Sequence, residues 1–247
     1  MALQFSDIGF RYNRKTPVLD GLDLRLDAPS TVLLGPNGAG KSTLMALAAS
    51  QLRPARGTVT WRNLSSTGRR DRTAYRRAVA WIPQQITAVP GLTVREQVAY
   101  AGWLKGLSRT AAWEASGQAV ARVGLSELAG RKSHQVSGGQ LRRMGIAGAL
   151  THRSDVILMD EPTAGLDPQQ RAVFRTLVEE LSVSVQVVVS THQTEDLADL
   201  YQQVVVLDRG TVRFQGTSGD FHALAVPTQS PREQAEAAYA QLVGREV

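Results

Sequence analysis

The stretch from Gly35 to Thr43, GPNGAGKST, constrains this chain more than any other part of its sequence. It follows the apolar run 31–34 and precedes the apolar run 44–49, so it is predicted to connect a strand to a helix. Glycine lets backbone N–H groups approach an anion without an intervening Cβ, and the first N–H groups of a helix have no backbone partner. The stretch therefore predicts a phosphate-binding loop, and its flanking elements make a plain glycine-rich surface turn the weaker alternative.

The residue types in this loop suit a nucleoside triphosphate. Lys41 supplies a mobile positive charge for the β- and γ-phosphates, and the Ser42 hydroxyl is a natural Mg²⁺ ligand. The candidate nucleotide-binding residues of the loop are Gly35, Pro36, Asn37, Gly38, Ala39, Gly40, Lys41, Ser42 and Thr43.

Composition narrows the class of protein. At 247 residues, with 43% hydrophobic and 20% charged residues, the chain is long enough for one large domain with a full core. The formal net charge of +6 favours an acidic partner, whether nucleotide, anionic lipid or nucleic acid. Cysteine is absent from the sequence, which excludes disulfides, thiolate metal sites and cysteine nucleophiles.

The sequence contains no targeting or membrane-spanning signal. Its first residues lack the features of a signal peptide, and no apolar run reaches the ~18 residues of a membrane span. We therefore expect a cytosolic chain. If it works at a membrane, another polypeptide is expected to supply the spans.

Acidic residues and a histidine follow two buried-type strands in the second half of the chain. The apolar run 156–159 ends at Asp160 and Glu161, and the run 185–189 is followed closely by His192. Ligands of open α/β sheets bind at the carboxyl ends of the strands. Asp160 therefore suits the Mg²⁺ shell, Glu161 suits a base that polarises water, and His192 suits a γ-phosphate contact better than a purely structural hydrogen bond.

The segment Val136–Gln140, VSGGQ, opens a predicted helix from Leu141 to Leu150. A Ser-Gly-Gly sequence at a helix start offers a hydroxyl, free N–H groups and the positive end of the helix dipole to an anion. As an isolated motif it is equally compatible with a simple helix cap. One chain thus carries two candidate phosphate-binding helix starts that are far apart in sequence.

Two other regions are organised differently. The block from Thr93 to about Gly124 contains few strand formers, and its predicted caps at Thr93 and Ser108 favour an inserted helical subdomain. The densest basic cluster consists of Arg69, Arg70, Arg72, Arg76 and Arg77. Because no aromatic-rich surface accompanies this cluster in the sequence, a solvated, partner-facing edge is favoured over a lipid or nucleic-acid patch.

Taken in the order in which they occur along the chain, the motifs resemble those of the ATP-binding cassette (ABC) ATPases, and the resemblance extends from Leu3 to about Gly216. The matching positions are Gly35–Thr43 (Walker A), Gln84 (Q-loop), Val136–Gln140 (signature, with Val for the usual Leu), Val156–Glu161 (Walker B and catalytic glutamate), Asp167 (D-loop), His192 (H-loop) and Tyr12 (adenine stacking). Gln84 is preferred over Gln85 because it directly follows a strand ended by Pro83. Tyr12 is also compatible with plain edge packing.

The resemblance implies an α/β fold: a P-loop NTPase (ABC ATPase) core with a mostly parallel sheet, an N-terminal antiparallel β subdomain and an inserted helical subdomain. It places the core and β subdomain in residues 1–84 and 151–216, the helical subdomain in 85–150 and a tail in 217–247 of a single domain. The implied catalytic residues are Glu161, His192, Gln84 and Lys41, and the implied Mg²⁺ ligands are Ser42, Gln84 and Asp160.

The resemblance also implies a composite ATP site. Two cassettes face head to tail, so that the Walker A loop of one and the signature residues Ser137, Gly138, Gly139 and Gln140 of the other enclose one ATP, with Tyr12 and Asp167 contributing. The second cassette is an identical copy or a paralogue. Integral membrane permease subunits are the other expected partners, docking on Gln84 and the helix Thr93–Lys105 at the cytoplasmic face of the membrane.

The direction of transport is harder to predict. The segment Gly91–Glu96 and the short tail resemble stand-alone ATPase subunits of bacterial export systems, and an importer subunit is the alternative. ABC ATPases that act on nucleic acid would need an inserted coiled coil or zinc module, or, in translation factors, two cassettes in one chain. This sequence has no cysteine for a zinc module, a helical block of ordinary length and the motifs of one cassette. We therefore expect no nucleic-acid partner.

Overall fold

The computed structural model describes residues 1–13, 16–194, 200–226 and 230–243. Its strands are β1 Leu3–Phe10, β2 Leu19–Leu26, β3 Ser30–Leu34, β4 Arg56–Trp61, β5 Leu64–Ser65, β6 Val79–Ile82, β7 Val156–Asp160, β8 Gln186–Thr191, β9 Gln203–Asp208 and β10 Thr211–Thr217. Its α-helices are α1 Lys41–Ala48, α2 Arg72–Ala78, α3 Val94–Leu104, α4 Arg109–Arg122, α5 Gly138–Thr151, α6 Pro168–Ser182, α7 Ser218–His222 and α8 Pro231–Val243.

The central sheet has six strands in the order β10-β9-β3-β8-β7-β6, and every neighbouring pair except β10–β9 is parallel. Its middle strands are continuous apolar runs because both faces of the sheet are covered. Along β3, Val32 and Leu34 pack into one core and Leu33 packs into the other. This alternation follows from the two-residue period of a strand.

The second sheet is antiparallel, in the order β2-β1-β4-β5. Its apolar side chains, Leu22, Leu24 and Leu26 among them, share one hydrophobic cluster with α1 and with one face of the central sheet. Polar Asp23 and Arg25 alternate with them on the exposed face of β2. The predicted α/β class, with a mostly parallel sheet and an N-terminal antiparallel sheet, is therefore confirmed.

Three helices, α3, α4 and α5, lie between β6 and β7 in the sequence, although these two strands are paired in the sheet. Thr93 and Glu96 form the predicted capping box of α3, and the Ser108 side chain accepts a hydrogen bond from the Ala111 N–H at the start of α4. The helical segment is thus an insertion between adjacent strands. The subdomain boundaries themselves stay a prediction, and residues 14–15, 195–199, 227–229 and 244–247 of the predicted ranges lie outside the described residues.

Some element boundaries differ from the sequence prediction. Helix α5 starts at Gly138 rather than Leu141, because the Ser137 cap allows both signature glycines to adopt helical backbone conformation. Strand β1 was predicted to run from Leu3 to Tyr12 but ends at Phe10, which leaves Tyr12 67% exposed. Helix α2 was not predicted, because its sequence is mostly charged and Tyr75 is its one buried residue. The Tyr75 side chain is fully buried, and its hydroxyl donates a 2.5 Å hydrogen bond to the Ala48 carbonyl oxygen.

None of the helices in the described ranges combines the length and the apolarity that a membrane crossing requires.

Tyr75 is predicted to fix α2 to the end of α1. Replacing Tyr75 with Ala should lower the free energy of unfolding by about 3–5 kcal/mol because it leaves a cavity. Tyr75→Phe should cost about 1 kcal/mol for the lost hydrogen bond. Urea unfolding followed by circular dichroism measures both changes. Arg72→Ala on the exposed face of α2 is the control and should stay within ~0.5 kcal/mol of the parent; equal stability of Tyr75→Ala and the parent would contradict the assignment.

Candidate active site

A cleft of about 440 Å³ opens at the carboxyl ends of the central strands. Its lining combines residues that are remote in sequence: Tyr12, Val18, Pro36, Asn37, Gly38, Gly40, Lys41, Ser42, Thr43, Gln84, Glu161 and His192. Strand register explains the assembly, because Leu34 at the end of β3 pairs with Thr191 of β8, and Ser190 of β8 pairs with Asp160 of β7. The loops that follow these three strands therefore leave the sheet side by side.

The loop between β3 and α1 has the backbone of an anion-binding turn. Gly40 caps α1 with a φ of 104°, a left-handed conformation that favours glycine, and its lack of a side chain leaves the first N–H groups of the helix without a side-chain cap. At Gly35, an added Cβ would lie 2.2 Å from the Leu207 carbonyl oxygen, so no larger residue fits. The first turn of α1 contains no acidic residue that would repel an anion.

Lys41 is the buried cation of the cleft. Its ammonium donates hydrogen bonds to the carbonyl oxygens of Gly35 (2.7 Å) and Pro36 (3.1 Å), and it lies 3.7 Å from the Glu161 carboxylate. Burial lowers the pKa of Lys41, while the charges of Glu161 and Asp160 act in the opposite direction. The loop carbonyls thus orient a positive charge where the phosphates of a nucleotide would lie.

Glu161 is held by its backbone and its side chain. Its φ of 47° is unusual for a residue other than glycine, and its N–H donates to the Ser190 carbonyl oxygen at 3.0 Å. Both carboxylate oxygens lie 3.0 Å from Nδ1 of His192. A buried carboxylate fixed by a histidine and close to a lysine is suited to polarising a water molecule in the cleft.

Asp160 is 6% exposed and lies behind the cleft lining. Its carboxylate accepts a hydrogen bond from the Ser190 hydroxyl, which also accepts one from the Glu161 N–H at 3.3 Å. Sequence reasoning gave no role to Ser190, although it lies just before His192 at the end of β8. Its polar side chain at a buried strand end was the signal that could have revealed it.

Ser42, Gln84 and Asp160 offer a hydroxyl, an amide and a carboxylate oxygen, the hard oxygen donors that Mg²⁺ prefers. Ser42 and Gln84 line the cleft, whereas Asp160 is buried and does not line it. A second residue without a predicted role, Arg142 of α5, donates to the Gln84 carbonyl oxygen at 3.3 Å and to the carbonyl oxygens of Pro162 and Ala164. Arg142 therefore connects the signature helix to both loops that carry predicted catalytic residues.

Tyr12 lies beside the phosphate loop. Its hydroxyl is 3.2 Å from the Thr43 hydroxyl, and its ring packs edge-on against Phe10 with centroids 5.0 Å apart. The ring both packs at the end of β1 and stays largely exposed at the cleft, so the structure is compatible with both sequence interpretations.

The second predicted anion-binding start lines a different concavity, of about 210 Å³, which shares no residue with the first cleft. The lining includes Ser137, Gly139 and Gln140 of α5, whereas Gly138 does not line it. The Ser137 hydroxyl accepts from the Gln140 N–H, and the Gln140 side chain accepts from the Ser137 N–H at 2.8 Å. Asp167 caps α6 by accepting from the Gln170 N–H at 2.8 Å and lines neither cavity.

The sequence model of the family described as ABC transporter matches residues 19–164. The chain belongs to this family. It is an ATP-binding subunit with ATPase chemistry, as its motifs predict. The resemblance stated from the sequence is confirmed.

Curated relatives of this ABC subunit serve different transporters. The chain is 39% identical over 203 residues to a cobalt import ATP-binding protein of Rhodobacter capsulatus, covering 79% of this chain and 72% of that one. It is 35% identical to a daunorubicin/doxorubicin resistance ATP-binding protein of Streptomyces peucetius, covering 89% and 66%. A match at 35% identity to the ABC transporter ATP-binding protein YxlF of Bacillus subtilis spans 74% of this chain and 60% of the relative's length.

Solved ABC cassettes share the fold. The ATP-binding subunit cbiO1 of Clostridium perfringens, part of the transporter complex cbiONQ, superimposes with a TM-score of 0.78 at 26% identity over 90% of each chain. A bacterial ABC cassette solved as a dimer gives 0.77 at 25% identity, covering 87% of this chain and 98% of that one.

Ser190 is predicted to be a positioning residue for Asp160. Ser190→Ala should lower kcat by about tenfold and raise the Mg²⁺ concentration needed for half-maximal turnover, because a ligand loses its supporting hydrogen bond. The KM for ATP should change little. Mg²⁺ titrations of steady-state ATPase activity measure this, with Ser182→Ala on the exposed end of α6 as the matched control. An unchanged Mg²⁺ dependence in Ser190→Ala would contradict the role.

Proposed function

We propose that this ABC ATP-binding subunit works as a head-to-tail dimer that closes around two ATP molecules and opens after hydrolysis. The carrying observation is that one chain presents two helix starts predicted to bind phosphate, and that they lie on separate concave surfaces with no lining residue in common. One nucleotide cannot contact both starts of a single protomer. A second cassette brings its Ser137 and Gly139 to the Lys41 of the first. The related cassette solved as a dimer supports a dimeric assembly.

The charged and polar residues at the cleft have distinct parts in the proposed hydrolysis. Lys41 and the free N–H groups of α1 hold the triphosphate. Ser42, Gln84 and Asp160 would hold Mg²⁺, which would supply positive charge to the β- and γ-phosphates. Glu161 orients and polarises the attacking water, and His192 holds the Glu161 carboxylate while its second ring nitrogen is free to face the γ-phosphate. Loss of the bridging γ-phosphate removes the charge that holds the two halves together.

Replacing Glu161 with Gln is expected to separate binding from hydrolysis. The amide keeps the volume but lacks the charge, so kcat should fall about 10²- to 10³-fold while ATP binding persists. The variant should accumulate as an ATP-bound dimer, measurable by size-exclusion chromatography with light scattering. Glu179→Gln, on the exposed face of α6, is the control. Normal turnover by the Glu161 variant would remove this residue from the mechanism.

Mixing two inactive variants tests the composite site. Lys41→Ala removes the phosphate charge of the first cleft, and Ser137→Arg blocks the second helix start. In a mixed dimer, both lesions fall in one site, and the other site combines an intact Lys41 with an intact Ser137. ATPase activity should therefore reappear on mixing. If each protomer formed its own site, the mixture would stay inactive.

We also propose docking to membrane subunits at a groove between β6, α3 and α5, here called the docking groove. Its volume is about 210 Å³, and its lining includes Trp81, Gln97, Ala101, Lys105 and His152. Nε1 of Trp81 and Nε2 of His152 are buried without a hydrogen-bond partner among the described residues. Burial lowers the pKa of His152 to about 4, so its ring is neutral at pH 7. A docking segment can supply the hydrogen bonds that these two nitrogens lack.

Export is the direction that we propose, at the cytoplasmic face of the membrane, on the basis of the segment Gly91–Glu96. Import is the second candidate, since the relatives include both a cobalt import and a drug resistance ATP-binding protein. Purifying the chain with its integral membrane subunits and measuring ATP-driven flux in reconstituted vesicles decides between the two directions. Stimulation of the ATPase by nucleic acid, without any membrane partner, would contradict a transport function.

A further inference from the structure

The helix pair α3–α4 exposes an unusual concentration of apolar surface. Tyr100 is 40% exposed, Trp103 49%, Leu104 61% and Trp113 45%. These four residues form what we call the aromatic surface. It borders a concavity of about 400 Å³ between α3 and α4, on the side of α3 opposite the docking groove. Exposed apolar clusters of this kind mark sites of interaction with a protein or a membrane.

The basic cluster of α2 reaches the carboxyl end of α3, next to Leu104. Arg77 Nε donates to the Lys105 carbonyl oxygen at 3.1 Å, and the Lys105 ammonium donates to the Arg76 carbonyl oxygen. Lys105 directly follows Leu104, and Arg109 lines the concavity. The fold thus brings Arg76 and Arg77 to the residue that follows Leu104, and Arg109 lines the concavity together with Trp103 and Trp113.

Cations outnumber carboxylates around the aromatic surface. Helices α3 and α4 together contribute Arg95, Arg109 and Arg122 as cations and Glu96 and Glu114 as carboxylates. Lys105 follows α3, and Arg76 and Arg77 are hydrogen-bonded to it. The Glu96 carboxylate accepts a 2.7 Å hydrogen bond from the Thr93 N–H, so it is engaged at the helix cap. The surface is therefore both apolar and positively charged, which complements an anionic partner with an apolar interior.

The ring geometry argues against nucleic acid as that partner. Tyr100 and Trp103 stack on each other with centroids 5.7 Å apart, and the Arg95 guanidinium lies 4.0 Å from the centre of the Trp113 ring. Each ring thus has one face already covered, whereas nucleotide bases need open faces on which to stack. Tryptophan and tyrosine beside an exposed leucine, with flanking arginine and lysine, match the chemistry of a bilayer interface.

We propose that the aromatic surface and its basic rim bind directly to an anionic lipid bilayer, with Trp103 and Leu104 entering the headgroup region and Arg77 and Arg109 contacting lipid phosphates. The inference goes beyond the proposed function, because it requires neither a membrane subunit nor nucleotide. It is consistent with docking, since α3 turns Gln97 and Ala101 toward the docking groove and Tyr100 and Trp103 toward the other side. One helix would then contact the membrane subunit and the lipid at once.

The first test uses sedimentation of the purified full chain with vesicles of phosphatidylcholine alone or with phosphatidylglycerol added. Wild type should bind the anionic vesicles and release them at high salt. Leu104→Glu should abolish binding, whereas Val183→Glu, at a side chain that is 88% exposed elsewhere, should bind like wild type. Arg77→Gln and Arg109→Gln should each weaken binding about fivefold. Circular dichroism and melting temperature verify that each variant is folded.

The second test uses the four tryptophans of the chain as depth probes. Brominated phosphatidylcholine in the anionic vesicles should quench wild-type fluorescence. The quenching should disappear in the double variant Trp103→Phe/Trp113→Phe and persist in Trp61→Phe, because Trp61 is only 3% exposed.

Three results would overturn the proposal: no binding of wild type to anionic vesicles at low salt, equal binding by Leu104→Glu and Val183→Glu, or quenching that survives the double tryptophan variant. Binding of an oligothymidine strand that Leu104→Glu abolishes would reassign the surface to nucleic acid. None of these results bears on dimerisation of Glu161→Gln, so failure of lipid binding and failure of the proposed ATPase cycle are distinguishable.

Discussion

The parallel register of three strands is the constraint on which the active site depends. Strand β8 pairs with β3 on one side and with β7 on the other, and the three strands end level at one edge of the sheet. Lysine, glutamate and histidine then meet within one cleft although they lie at positions 41, 161 and 192. If β7 slipped by one residue against β8, Asp160 and Glu161 would each turn to the face of the sheet opposite to the one that they occupy now. The hydrogen-bonded ladder of the backbone thus sets the geometry of the catalysis.

Electrostatics explains how the buried charges at this edge are arranged to receive a ligand. Lys41, Asp160 and Glu161 are each no more than 7% exposed, and isolated burial of such charges is costly. The structure offsets this cost with carbonyl oxygens around Lys41, the Ser190 hydroxyl on Asp160 and His192 on Glu161. Phosphate and metal charges can enter this prearranged network with little reorganisation, which favours electrostatic stabilisation of the transition state.

Arg142 gives the site a physical link to the helical insertion. It lies in α5, whose first turn is the signature, and it bonds the backbone next to Gln84 and Glu161. The docking groove lies along the same helix. A shift of α5 on dimer closure would therefore reach the Gln84 loop and the groove together. The aromatic surface lies on the side of α3 opposite the groove. One inserted subdomain thus combines the proposed contacts with nucleotide, membrane subunit and lipid.

The sequence by itself determined the class of fold and the family, because glycine-rich turns, helix caps and apolar strand runs are local signals. The loop Gly35–Thr43 and the caps at Thr93 and Ser137 were readable in this way. Helix α2, the support of Asp160 by Ser190 and the bridge by Arg142 were not, since each depends on contacts between segments distant in the chain. Only the tertiary structure decided that the basic cluster reaches the end of α3, because Arg77 and Lys105 are 28 positions apart in sequence while a hydrogen bond joins them in space.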